Sequence, residues 1–264
     1  MTGVFRRSPW SAPAMADCGA ERVAAKVEIA GDVAMAYHAR TGAMAGDTNT
    51  NSQRSVPEPV LNRIPLYLRF VEGLRDQGVG TISSRKLAQA LGLTDGQVRA
   101  DLVYFGAFGR PGVGYHVERL VDELRQIVGT DRIQRVALVG YGSIGRALVM
   151  YEGFARRAFD IVAIFDRAPE KIGQLAGRLI VQDVAVMIEE LRRLAVRLAI
   201  LAVPAEATLP LAQKLIEAGV TGIMNFAPVA LKPADHVVVT NVDLMLTLER
   251  LLLRMRIADR QSGQ

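Results

Sequence analysis

The chain has 264 residues, half of them hydrophobic, which is enough for two modest domains with buried cores. Its 32 Lys and Arg against 27 Asp and Glu leave a net charge of +5, a mild surplus that admits an anionic partner such as nucleic acid without requiring one. The single cysteine, Cys18, excludes an intramolecular disulfide and any four-cysteine zinc or iron–sulfur centre, and it suits a reducing cytoplasm.

Residues 1–58 are rich in Ala, Gly, Ser, Thr and Asn and end in GDTNTNSQRSVPEP. They read as a disordered extension, in which residues 23–37 could form a short helix. An early Arg pair is followed by no apolar run of signal-peptide length, so no secretion signal is expected. From Pro59 the texture turns helical. IPLYLRFVEGLRDQG predicts a helix with Leu66, Phe70 and Leu74 on one face and Gly78 placed to end it, and SSRKLAQAL predicts a second. HVERLVDELRQIVG puts Val117, Leu120, Val121, Leu124, Ile127 and Val128 on one stripe, an amphipathic helix that Gly129 can stop and that links two domains. Residues 59–130 form the first domain.

Within it, SSRKLAQALGLTDGQVRADLVYFG carries Ala88, Gly92 and Val98 at helix-turn-helix spacing. The small Ala88 permits a close helix crossing, Gly92 takes the turn, and Val98 locks the second helix onto the first. Thr94 and Gln97 predict a capping box. FGAFGRPGVGYHV predicts a β-hairpin wing, with Arg110 at the turn between two short extended pieces. The candidate DNA contacts are Ser83, Ser84 and Lys86 on the first helix, Gln97, Arg99 and Tyr104 on the second, and Arg110 on the wing. Between residues 60 and 117, seven Lys or Arg stand against four acids, so phosphate contacts and salt-sensitive binding are expected. A two-helix turn packed inside some other fold remains the alternative, as does a solvated helix face for Arg85 and Lys86.

After Asp131 apolar runs alternate with amphipathic helices: RVALVG, DIVAIFD, RLAILAVP, GIMNFA and HVVVTN predict strands of a parallel sheet covered on both faces. Residues 131–241 are therefore a doubly wound, Rossmann-type α/β domain. RVALVGYGSIGRAL has the dinucleotide glycine spacing in Gly140, Gly142 and Gly145, after a strand and opening a helix. Asp166 ends the next strand, 21 residues beyond Gly145, where a carboxylate can accept both ribose hydroxyls. It would repel a 2′-phosphate, which favours NAD(H), although Arg167 beside it softens that choice.

A dehydrogenase would need a general acid or base beside the nicotinamide. The supply is thin: His38 lies in the extension, His116 at the wing, His236 in a loop, and Lys214 and Lys232 read as surface charges. No catalytic residue and no metal site is assigned. The place of a substrate domain is taken by the helix-turn-helix, so the dinucleotide reads as a sensed ligand. Residues 242–264 form a final helix with apolar residues on more than one face, which must be buried, either on a second copy of the chain or on its own sheet. Leu244 to Ile257 is too short and too charged to span a bilayer.

Over about residues 59–257, RIPLYLRF, SSRKLAQALGLTDGQVRADLVYFGAFGRPGVGY, GYGSIG, YEGF, FDRAPEKIG, VPAEA, GIMNFAPVAL and NVDL resemble, in order, the family of the redox-sensing transcriptional repressor Rex. The resemblance implies a homodimeric winged-helix repressor, not an enzyme. It would bind palindromic operator DNA when NADH is scarce and release it when NADH accumulates, with the final helix swapped into the partner. It implies that Gly140, Tyr141, Gly142, Ser143, Ile144 and Gly145 hold the pyrophosphate and Asp166 the adenosine ribose. Val203, Pro204, Asn225, Phe226, Ala227 and Pro228 would line the nicotinamide side. It also implies a hydrogen-bonded switch of Arg69, Tyr151 and Asp243, whose residues could otherwise be a surface charge, a core aromatic and a helix cap. The chain departs from the family at Ala100, where a lysine is common, at Pro111, where a basic residue is common, and in its long extension.

Overall fold

The structure, a computed structural model, describes residues 56–110, 112–233 and 236–262. The disordered reading of the extension, with Cys18 and His38, lies outside the described residues, as does Pro111. The chain divides into two compact units between Val128 and Gly129.

The N-terminal unit comprises α1 (Glu58–Asp76), β1 (Thr81–Ile82), α2 (Ser84–Ala90), α3 (Asp95–Val103), β2 (Tyr115–His116) and α4 (Val117–Val128). α1 buries Val60, Ile64, Tyr67, Leu68 and Val71, while Phe70 and Leu74 are only partly buried at the edge of that core. The expected stripe of Leu66, Phe70 and Leu74 flanks that core, one residue out of step with the buried Tyr67 and Val71. α4 buries Val117, Leu120, Val121 and Leu124, and packs against α1. It is therefore a core element of this unit. The wing is a hairpin closed by one bridge, Arg110 with Gly114. Beyond that bridge β2 pairs antiparallel with β1, not with the segment before the turn as expected. The two-residue strand needs a neighbour for its backbone groups, and β1 supplies one.

The C-terminal unit is a seven-stranded sheet ordered β5-β6-β4-β3-β7-β8-β9. Its strands are β3 (Gln134–Val139), β4 (Phe159–Asp166), β5 (Leu175–Ala176), β6 (Leu179–Asp183), β7 (Leu198–Leu201), β8 (Gly222–Asn225) and β9 (Val238–Asn241), and its helices are α5 (Ser143–Val149), α6 (Met187–Arg193), α7 (Ala205–Glu217) and α8 (Leu244–Ser262). All neighbours run parallel except the β5–β6 hairpin, which was not anticipated. Alternate residues of β3 enter different cores: Ala137 and Val139 join Met187, Leu191, Leu211 and Leu215, whereas Val136 and Leu138 pack with Leu148 and Val149. Burial on both faces is why these strands read as unbroken apolar runs.

α8 stands apart. Leu248, Leu251, Leu252, Leu253 and Met255 are each more than half exposed, so the helix does not pack on its own sheet. Among the described residues no helix is long and apolar enough to cross a membrane.

Candidate functional site

The strand order reverses at β3, whose neighbours are β4 on one side and β7 on the other. Loops leave the carboxyl ends of these strands in opposite directions and open a crevice there. The resulting cleft, about 490 Å³, is lined by the loop after β3 (Gly140, Gly142, Ser143, Ile144), the end of β4 (Asp166, Arg167), the loop after β7 (Ala202, Val203, Pro204) and Phe226 and Pro228 after β8.

The three glycines do different work. Gly140 has φ +101°, and a Cβ there would overlap the Ala202 carbonyl oxygen. A Cβ on Gly145 would overlap the Gly140 carbonyl oxygen, so this residue brings α5 close to the strand. At Gly142 a Cβ would meet nothing within 4 Å; its smallness keeps the cleft open. Gly142 is also the N-cap of α5 and supplies no side-chain cap, which leaves the helix's first N–H groups for a phosphate-bearing ligand.

Asp166 is 6% exposed. Its Oδ2 accepts from the Tyr141 N–H at 2.7 Å and from Lys171 Nζ at 3.0 Å, and its Oδ1 accepts from the Ala168 N–H at 2.9 Å. Burial pushes this carboxyl up, but the N–H groups of Ala168 and Tyr141 together with Lys171 outweigh it and hold the carboxyl below the ordinary range. Lys171 was missed by the sequence reading; the one available signal was its position in FDRAPEK, just past the acidic strand end. Arg167, which softened the choice against a 2′-phosphate, pairs with Glu206 at 3.4 Å.

Four expected cofactor residues shape the cleft without lining it. Asn225, 1% exposed, donates from Nδ2 to the Val229 carbonyl and to Asn241 Oδ1, both at 2.8 Å. Its Oδ1 accepts from the Ala227 N–H at 3.1 Å. It thereby fixes the loop that presents Phe226 and Pro228. Buried Ala227 belongs to the same turn, Gly145 lies behind the loop, and Tyr141 acts through its backbone while its ring carries the Arg146 guanidinium at 5.3 Å. The ionisable groups on the cleft wall are Asp166, Arg167 and Lys171, and two of these are bonded to each other. Among the described residues no cluster of His, Cys, Asp or Glu could hold a metal.

On the N-terminal unit, Ala88 and Val98 are buried and Gly92 has φ +65°, which is the helix-turn-helix expected from the spacing. Ser83 caps α2, accepting from the Lys86 N–H at 3.2 Å. The Thr94–Gln97 capping box is complete. Gln97 Oε1 accepts from the Thr94 N–H at 3.0 Å, so while the box holds, this side chain offers a partner its amide donors and not an adjacent acceptor as well. Arg99, Tyr104, Lys86 and Arg110 are exposed, and Arg99 Nη1 donates to Asp95 Oδ2 at 2.8 Å and to Ser84 Oγ at 3.1 Å. Sequence reasoning also missed a buried cluster behind this face. Asp101, 3% exposed, accepts from Arg63 Nε at 2.6 Å, Arg63 Nη2 at 2.7 Å and Tyr67 Oη at 2.5 Å, tying α1 to α3.

Of the three switch candidates, Arg69 is exposed. Tyr151 is 62% exposed and meets Phe154 edge to face with centroids 5.5 Å apart, so it is not a core aromatic. Asp243 caps α8, its Oδ1 accepting from the Leu246 N–H at 2.9 Å.

Residues 55–102 match the family described as "Putative DNA-binding protein N-terminus" and residues 131–229 the "CoA binding domain" family. The redox-sensing transcriptional repressor Rex of Carboxydothermus hydrogenoformans is 41% identical over 201 residues, which cover 76% of this chain and 97% of that protein. The crystal structure of RSP, a Rex-family repressor, in complex with β-NAD+ and operator DNA is similar at a TM-score of 0.73 and 33% identity, covering 80% of this chain and 99% of that one. The structure of RSP with β-NADH gives 0.72 and 32% over the same shares. A helix-turn-helix unit and a Rossmann unit with the glycine loop and Asp166, together with this identity over most of its length, place the chain in the Rex family of redox-sensing transcriptional repressors.

Proposed function

We propose that the chain represses transcription by binding operator DNA through its winged helix-turn-helix when NADH is scarce, and leaves the operator when NADH fills the cleft of the C-terminal unit. The observation that carries this reading is a dinucleotide cleft, whose wall holds its carboxylate and its lysine bonded to each other, in a chain whose other unit is a helix-turn-helix. It acts as a sensor and not as an enzyme, in line with its family.

The residues present fit a dinucleotide: Gly140 and Gly145 sit where any Cβ would collide, and Asp166 stands ionised at the wall. Gly142, Ser143 and Ile144 would hold the pyrophosphate and Asp166 the adenosine ribose, sharing its carboxylate with Lys171. Val203, Pro204, Phe226 and Pro228 would form the nicotinamide side. The bound dinucleotide supplies a ring that is neutral when reduced and cationic when oxidised. The apolar walls penalise burial of the cation, so the chain favours the reduced form, and a ligand shifts a two-state protein only by its preference between states. Arg69, Tyr151 and Asp243 are the switch residues of this reading, and Ser83, Ser84, Lys86, Gln97, Arg99, Tyr104 and Arg110 its DNA contacts. Domains of residues 59–130 and 131–241, a C-terminal segment 242–264 and a cytoplasmic location, where DNA and NADH meet, complete it. The exposed leucines of α8 are the surface on which two copies join, and a two-fold dimer presents two recognition helices to a palindrome.

The test is fluorescence anisotropy on a labelled palindromic operator, titrated with NADH at fixed NAD+. Release by NADH with little response to NAD+ is expected; binding indifferent to both nucleotides would refute the reading. Asp166→Ala should raise the NADH needed for half release by about tenfold or more, the loss of a charge-assisted hydrogen bond of about 1.5–3 kcal/mol. Because the folded-state carboxyl is depressed, its contribution is present above the ordinary carboxylate value and fades only as pH falls below it. Wild-type release should therefore owe no change to Asp166 between pH 6 and 8. Leu248→Lys combined with Leu252→Lys should give monomers in sedimentation and weaken operator binding by about 100-fold, since the second half-site contact then loses its effective concentration. An unchanged dimer would remove α8 from the interface.

A further inference from the structure

We infer that Asp95 is a specificity-determining residue of the DNA-recognition surface, one that fixes the Arg99 guanidinium for guanine and sets a negative charge against contact with phosphate alone. The inference rests on the reading that α3 enters operator DNA, and it goes beyond that reading by assigning a role to an acid on a face that must approach a polyanion.

The geometry is specific. Both oxygens of Asp95 are engaged: Oδ1 accepts from the Gly96 N–H at 2.9 Å and Oδ2 from Arg99 Nη1 at 2.8 Å. The same Nη1 donates to Ser84 Oγ on α2 at 3.1 Å, so the guanidinium is tied to both helices of the motif. Both of these bonds use Nη1. The Nε/Nη2 edge has no protein partner among the described residues, and that edge carries two parallel donors, the pattern that guanine O6 and N7 accept. As an acid in the first turn of α3 the carboxylate also meets the helix's positive end and the Gly96 N–H, but that role does not require its bond to Arg99. The pair is solvent-exposed, with side chains 56% and 44% accessible, and such pairs add little to stability. The start of α3 is already closed by the Thr94–Gln97 box. Arg99 first, and Arg85 more weakly, keep the Asp95 carboxyl below its ordinary range, so it stays charged wherever the protein works. On an arbitrary duplex it repels phosphates and competes with them for Arg99. On a correctly placed guanine it keeps its partner while the free edge of Arg99 reads the base. Discrimination then comes from penalising wrong partners as much as from rewarding the right one.

The test uses the full-length protein, operator duplexes selected by the wild type from randomised palindromes, and scrambled duplexes of equal length, with anisotropy measured at several salt concentrations and thermal melting alongside. Asp95→Asn should cut the ratio of operator to scrambled affinity by about tenfold, mainly by tightening the scrambled complex, while the loss of a first-turn charge lowers the melting midpoint only slightly. Asp95→Glu, which keeps charge and reach, should hold the ratio within about twofold of wild type. A ratio unchanged in Asp95→Asn, with a selective wild type, would overturn the inference, as would equal tightening on both duplexes. If the wild type prefers no duplex at all, the DNA-binding reading itself fails and takes this role with it.

Discussion

Replacing Asp101 with alanine should destabilise the N-terminal unit by about 3–5 kcal/mol, the cost of breaking a buried ion pair by removing one partner. Asp101 is 3% exposed and accepts three hydrogen bonds from α1, two from Arg63 and one from Tyr67. The Arg63 side chain is only 11% accessible, so without Asp101 a cation stays half-desolvated and the Tyr67 hydroxyl, wholly buried, loses its acceptor. Asp101→Asn should cost less, because an amide oxygen still accepts one of these bonds. The cluster also predicts a loss of stability in alkali. Burial first, and then the hydrogen bond to Asp101, push the Tyr67 hydroxyl far above its ordinary value of 10.0. A group raised in the folded state contributes fully below the unfolded pKa and loses that contribution as pH rises past it. Wild type should therefore weaken above pH 10 more than a Tyr67→Phe variant does. Denaturant titration of the three variants measures these effects, and an Asp101→Ala midpoint equal to wild type would show that Arg63 escapes to water at no cost.

The features legible from sequence were those whose chemistry is local. Ala88, Gly92 and Val98 set a helix crossing within eleven residues, Thr94 and Gln97 cap one helix start, and Gly140, Gly142 and Gly145 build one turn, so their spacing already contains their geometry. Asp166 was legible because a strand of known length ends beside the glycine loop, on the wall of the cleft. Contacts made by tertiary packing were not legible. Asp101 meets Arg63 across 38 residues, and nothing in ADLVYFG distinguishes a buried aspartate from a surface one. Lys171 reaches Asp166 only because the segment after β4 turns back over the cleft. The wing strand pairs with Thr81 and Ile82, a two-residue strand too short to show alternation. The face of α1 was misjudged for a related reason: Tyr67, with no exposed surface, is the centre of the core, and its hydroxyl is tolerated there by a partner that sequence does not reveal. Asn225 was placed in the cofactor site by the family resemblance; its side chain fixes the loop on which Phe226 and Pro228 stand.

The glycine loop offers the sharpest separation of folding from sensing. Gly142→Ala should leave stability within about 0.5 kcal/mol of wild type, since Gly and Ala differ modestly at an N-cap. The residue has φ −88°, which alanine adopts freely, and a Cβ there meets no atom within 4 Å. Yet the methyl would stand on the cleft wall where the backbone must approach the pyrophosphate, so NADH should no longer release the protein from its operator at concentrations about tenfold above those effective on wild type. Gly140→Ala should do the reverse in order of cause. Its φ of +101° costs a residue with a Cβ about 1–3 kcal/mol, and overlap with the Ala202 carbonyl forces β3 and β7 apart, at a cost of similar size. The sheet would weaken at the point where the cleft opens, and loss of the NADH response would follow from loss of structure. Melting curves beside anisotropy titrations separate the two variants. If Gly142→Ala melts as wild type and still answers NADH normally, the pyrophosphate does not cross this loop and the ligand assignment falls, whatever Gly140→Ala does.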